Sequence, residues 1–156
     1  MNTLGTTNPR CLPGSWLQRG QRLQQGGCYD QAIYCYQQGL NDLFQRPDAD
    51  AVRPHLVLLL GLADCYLALK RPEMALVKLD RCCRYLAECQ TNCPGQTLQS
   101  AIKHLLGVWP DYQYRIGAQR PQLGEWMAQF SGADRYLPNV AAAATPAIST
   151  TPRVLH

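Results

Sequence analysis

The chain has 156 residues and a formal net charge of +4, and with 46% hydrophobic against 17% charged residues it is too aliphatic and too sparsely charged to be disordered throughout. A single domain of this size buries enough surface to fold without disulfides or a metal, and no apolar run reaches the roughly 18 residues of a membrane span, the best, 56–69, being interrupted by Asp64. The 15 Lys and Arg are scattered and never form a run of five, which argues against nucleic acid as the partner.

Residues 1–13 are polar and rich in Asn, Thr, Gly and Pro, which predicts a flexible lead-in. They lack the basic-then-apolar layout of a secretory signal, so a cytoplasmic location is expected. A first helix is expected from Ser15, an N-cap candidate, with Trp16, Gly20 and Leu23 on one face, and Gly26-Gly27 stops it. A second runs from about Asp30, also an N-cap candidate, with Ala32, Ile33, Cys35, Tyr36, Leu40, Leu43 and Phe44 at three- and four-residue steps, and ends at Arg46-Pro47. A third, over 54–70, opens with Pro54 in its first turn and is apolar on most sides, which places it between other elements. Arg71-Pro72 is the next turn, and a fourth helix follows to about Cys89, carrying Met74, Ala75, Leu76, Leu79, Cys82, Cys83 and Leu86. A fifth is expected over 96–106, with Trp109-Pro110 as its end and 111–119 as an ordered loop. Pro121 opens a sixth through Leu123, Trp126, Met127 and Phe130, and 138–156, rich in Ala, Thr, Pro and Ser, reads as a disordered tail. The chain is therefore expected to be all-α, with five or six helices.

Two segments of the chain can be superposed. The first is Trp16-x2-Arg19-Gly20-x2-Leu23 with Gly27-x-Tyr29-x2-Ala32-x3-Tyr36-x2-Gly39. The second is Leu59-x2-Leu62-Ala63-x2-Tyr66 with Ala75-x3-Leu79-x2-Cys82. Small residues (Gly20, Ala32, Gly39; Ala63, Ala75, Cys82) alternate with bulky ones (Trp16, Leu23, Tyr36; Leu59, Tyr66, Leu79), as close helix crossings require. Both segments resemble the tetratricopeptide repeat, a pair of antiparallel helices written W-x2-L-G-x2-Y and then A-x3-F-x2-A. The chain departs from that pattern in three ways. Equivalent alanines are 43 positions apart (75 − 32 = 43) against about 34 in the family, Arg19 stands where Leu is usual, and Phe44 and Ala87 replace the closing proline.

The resemblance implies a short solenoid of antiparallel helical hairpins over 14–137. Its repeats would span about 14–46 and 54–89, with a degenerate capping unit over 96–131. It also implies a groove, lined by the first helix of each repeat, that takes a peptide or helix of another protein. The positions that face the groove in the family fall on Leu17, Gln21 and Gln24, then on Leu60, Asp64 and Leu67, although Leu60 and Leu67 serve equally well as core. Leu17 and Gln21 occupy the places of the Lys/Asn carboxylate clamp of chaperone-binding members, so the groove would suit an apolar peptide or a helix. Residues 109–116, with Trp109, Tyr112 and Tyr114, could extend it or pack over the last repeat. Two repeats are fewer than the usual three, so an uncovered apolar face could also recruit a second copy of the chain.

Residues with chemistry of their own are few. No phosphate-binding loop, dinucleotide fingerprint, zinc-protease motif or nucleophile elbow occurs, so neither an enzyme nor a cofactor is expected. His55, His104 and His156 have no nucleophile nearby in sequence and read as surface residues. The eight cysteines, in a chain without a secretory signal, read as reduced, small buried hydrophobes. The alternative is a zinc or thiol-redox protein using Cys82, Cys83, Cys89 and Cys93, or a Cys28–Cys35 or Cys89–Cys93 switch. Against zinc, Cys82 and Cys93 would lie about 16 Å apart on one helix, too far for a single tetrahedral ion.

Overall fold

The computed structural model of the protein describes residues 13–44, 49–92 and 95–129. The expectations for the lead-in before residue 13, for Arg46-Pro47, for Cys93 and Pro94, and for Phe130, the tail and His156 lie outside the described residues. Among the described residues the chain is all-α. Its helices are α1 (Pro13–Gln25), α2 (Tyr29–Phe44), α3 (Val52–Ala68), α4 (Pro72–Asn92), α5 (Gln96–Gln119) and α6 (Pro121–Gln129), with one 3-10 turn, Ala49–Ala51, leading into α3. No described helix is long and apolar enough to cross a membrane. The chain divides into two compact units, 1–79 and 80–156, and the division falls within α4.

In the first unit α1 and α2 form an antiparallel hairpin whose order is visible in its contacts. Tyr36 meets Gly20 and Gln24, while Gly39 meets Trp16. The same two α2 residues meet α3 in antiparallel order, Tyr36 against Gly61 and Gly39 against Leu58. The Tyr36 ring therefore lies between two glycines. A Cβ on Gly20 would come within 2.5 Å of it and one on Gly61 within 2.9 Å, so neither side chain could be larger without moving the ring.

The turns after α1 and after α3 share one hydrogen-bond pattern, displaced by 43 residues. Cys28 N–H donates to Leu23 C=O at 2.8 Å, as Arg71 donates to Tyr66 at 2.8 Å. Gly27 donates to Gln24 at 3.0 Å, as Lys70 donates to Leu67 at 3.1 Å. Ala32 donates to Cys28 at 3.0 Å, as Ala75 donates to Arg71 at 3.2 Å. The first two bonds of each set close a helix by capping its last free carbonyls, which needs a left-handed residue at the turn. That residue is Gly27 at φ 83° in the first turn and Lys70 at φ 62° in the second. The 43-residue spacing read from the sequence is thus a spacing of backbone geometry as well.

In the second unit α5 and α6 meet at Arg120, and Gly117 and Gly124 allow the two backbones to touch: a Cβ on Gly124 would lie 2.7 Å from the Gly117 Cα. Arg120-Pro121 opens α6 as Arg71-Pro72 opens α4, with proline at the first helical position and the arginine carbonyl accepting the first bond.

Several expected boundaries move. Ser15 lies inside α1 and Asp30 inside the first turn of α2, so neither is the cap; Cys28 provides the carbonyl that opens α2. The largest correction is in α5, which continues through Pro110 to Gln119, so 111–119 is helix and not loop. Pro110 is exposed, while Leu105, Trp109, Tyr112 and Ile116 are buried at three- and four-residue steps. Burial of that stripe on both sides of the proline outweighs the roughly 3 kcal/mol that an interior proline costs.

Candidate interaction surface

The residues expected to line a groove are placed unequally. On α1, Leu17 is half-buried and Gln21 exposed. Gln24 is half-buried and its Oε1 accepts a 2.6 Å hydrogen bond from the Tyr36 hydroxyl, which fixes its side chain to the core. On α3, Asp64 is half-buried, while Leu60 and Leu67 are buried at 7% and 3% exposure. Of the two roles open to Leu60 and Leu67, the structure takes the core one. α3 is apolar all round and buried over most of its length, so its leucines are covered wherever they point.

Most of the small and bulky residues that carry the repeat resemblance are buried. Ala32, Ala63, Ala75 and Cys82 are fully buried, Gly20 and Gly39 are buried, and so are the bulky Tyr36, Leu59, Tyr66 and Leu79. Trp16 and Leu23 are only half-buried.

Trp16 is the centre of a surface cluster that periodicity alone did not reveal. Its indole N–H donates to Asp42 Oδ2 at 3.1 Å, its ring meets Tyr34 edge-on at 6.3 Å between centroids, and the Arg19 guanidinium sits 4.9 Å above it. Tyr34 is 58% exposed. The available signal was that Tyr34 falls off the Ala32–Tyr36–Gly39 packing stripe; an aromatic off the core stripe of an amphipathic helix faces water. The segment 109–116 divides similarly: Trp109 and Tyr112 are buried and Tyr114 is exposed. Arg115 stacks over Tyr112 and pairs with Asp111 at 3.2 Å.

The thiols lie mostly inside. Cys35, Cys65, Cys82, Cys83 and Cys89 are buried and only Cys28 is exposed among the described cysteines. Burial pushes the Cys65 and Cys83 thiols up to about 12 and raises Cys82 well above its ordinary range, with Cys83 adding to the effect on Cys82. A neutral, enclosed thiol is a poor nucleophile and a poor metal ligand. Among the described residues no three His, Cys, Asp or Glu side chains come together as a metal site. His104 is exposed as expected, but His55 is buried at 8% exposure in the first turn of α3, which corrects its reading as a surface residue.

No protein-family model, no curated protein and no solved structure matches this chain.

Proposed function

We propose that the chain is a protein–protein interaction module, an adaptor or assembly factor without catalysis, built on helical hairpins of the tetratricopeptide kind. The observation that carries this reading is the pair of helix-to-helix turns with one hydrogen-bond pattern 43 residues apart, joined to the small-against-large packing of Tyr36 between Gly20 and Gly61. Repeated hairpins of this sort stack into surfaces that bind other chains. The partner is a peptide or helix with an apolar face, docking on α1 at Leu17 and Gln21, with Asp64 of α3 as a neighbouring polar contact. Enclosure of Cys82 and Cys83, whose thiols burial keeps protonated, favours this reading over a metal or redox role for that pair.

The test is capture of partners by the immobilised chain, compared with a Leu17→Glu/Gln21→Glu variant whose helicity and melting temperature match the wild type. Both positions have solvent to turn into, so the variant should fold. A protein retained by the wild type and lost by the variant supports the groove. Equal retention by both removes it.

A further inference from the structure

The α1–α2 hairpin sorts its charges by helix. α1 carries Arg19 and Arg22 and no carboxylate; α2 carries Asp30 and Asp42 and no base. Among the described residues neither arginine forms an ion pair. Both rows flank the same aromatic cluster. On α1, Trp16, Arg19 and Arg22 follow at three-residue steps, and on α2, Asp30, Tyr34, Gln38 and Asp42 follow at four-residue steps. Tyr34 lies about 200° round its helix from Tyr36, the residue that meets α3 through Gly61, so this row is not the one that packs on α3.

A face with a basic row beside an acidic row, and aromatics between them, is a poor match for a uniformly acidic or uniformly basic partner. It is a good match for its own image. When two copies are related by a two-fold axis running along the hairpin, α1 of each faces α2 of the other, and every contact occurs twice. Arg22 and Asp30 are the charged residues of α1 and α2 nearest the turn, so this operator brings them toward one another, while Arg19, at the middle of α1, and Asp42 lie farther along the hairpin. Trp, Tyr and Arg are also the side chains that most often dominate binding energy at interfaces.

We infer that this face is a self-complementary interface through which two copies of the chain pair, with Trp16 and Tyr34 at its centre and the arginines of α1 against the aspartates of the second copy's α2. The interface is separate from the proposed groove: Arg19 lies about 200° round α1 from Leu17. Its test also needs only the purified chain, so the two readings stand or fall apart.

The experiment is sedimentation analysis of the full chain from micromolar to millimolar concentration. The wild type, Arg22→Asp, Asp30→Arg and an equimolar mixture of the two variants are compared, with helicity checked for each. The wild type is expected to form a reversible dimer. Each variant alone places like charges opposite one another twice per dimer, so its dissociation constant should rise roughly tenfold or more. In a mixed pair the two substituted positions face each other with opposite signs, and the unchanged Arg22 of one chain faces the unchanged Asp30 of the other. Dimerisation in the mixture should therefore return toward the wild-type level. Misfolding of either variant could not produce that rescue. A wild type that keeps single-chain mass throughout, variants that pair as well as the wild type, or a mixture no tighter than its components would each overturn the inference.

Discussion

Tyr36 concentrates several demands on one side chain. Its ring is 1% exposed, held between Gly20 and Gly61, and its hydroxyl donates to Gln24. Burial raises its hydroxyl well above the ordinary tyrosine range, so it remains a donor at any physiological pH. Because the ring is blocked on the far side by α3 and anchored at its tip, it cannot yield to a methyl group on α1. Gly20→Ala should therefore destabilise the chain by about 1–3 kcal/mol, measured by urea denaturation; an unchanged midpoint would mean that the ring has room to move. Lys70 presents the opposite case. It holds the left-handed turn position that Gly27 fills in the first hairpin, at φ 62°, where a side chain costs roughly 1–2 kcal/mol. Glycine there gives up some of that gain to its greater freedom in the unfolded chain, so Lys70→Gly should stabilise by about 0.5–1 kcal/mol in the same assay.

Among the elements, α5 shows how a strong local signal can be overruled. Proline in a helix interior removes one hydrogen bond and crowds the carbonyl four residues earlier, here that of Leu106, so an end at Trp109-Pro110 is the natural expectation. The helix instead runs from Gln96 to Gln119, because Trp109, Tyr112 and Ile116 continue the buried stripe begun by Leu98, Ile102 and Leu105. If burial carries the helix against an intrinsic penalty, removing the penalty should raise stability. Pro110→Ala is expected to stabilise by about 1–3 kcal/mol, since the site is exposed and no side-chain packing is lost. A loss of stability would instead mean that the proline's bend aligns the two halves of the stripe. The other helices were legible to within a few residues, since Gly26-Gly27, Arg71-Pro72 and Pro121 act through the local backbone, which a sequence displays directly. Burial of α3's leucines and exposure of Tyr34 depend on which neighbours arrive, so Leu60 and Leu67 could be read as groove or core with equal right.

At the scale of the whole chain, what the sequence displayed best was its internal period. Small and bulky residues recur 43 positions apart, and the hydrogen bonds of the two turns that Gly26-Gly27 and Arg71-Pro72 mark locally superpose at the same spacing. The thiols connect that packing to global stability. Both compact units contain cysteines that burial holds protonated, Cys65 in the first and Cys82 and Cys83 in the second. Unfolding returns each thiol to its ordinary value of 9.0, while Cys65 and Cys83 in the folded chain keep their protons up to about 12. Below pH 9 both states are protonated and stability does not depend on these groups. Between about 9 and 12 the unfolded chain holds fewer protons than the folded one, so stability falls as pH rises, by up to about 1.4 kcal/mol per pH unit for each such thiol. Tyr36 adds to the decline in the same direction at the upper end of that range. Urea midpoints should accordingly be level from pH 7 to 8.5 and drop steadily toward pH 10.5. Cys65→Ala lowers the starting stability by leaving a small cavity, but it should also flatten the slope, since the substituted chain has one fewer buried proton to lose. It is the slope that tests the argument: a Cys65→Ala chain that declines as steeply as the wild type would show that this thiol is not held neutral by burial.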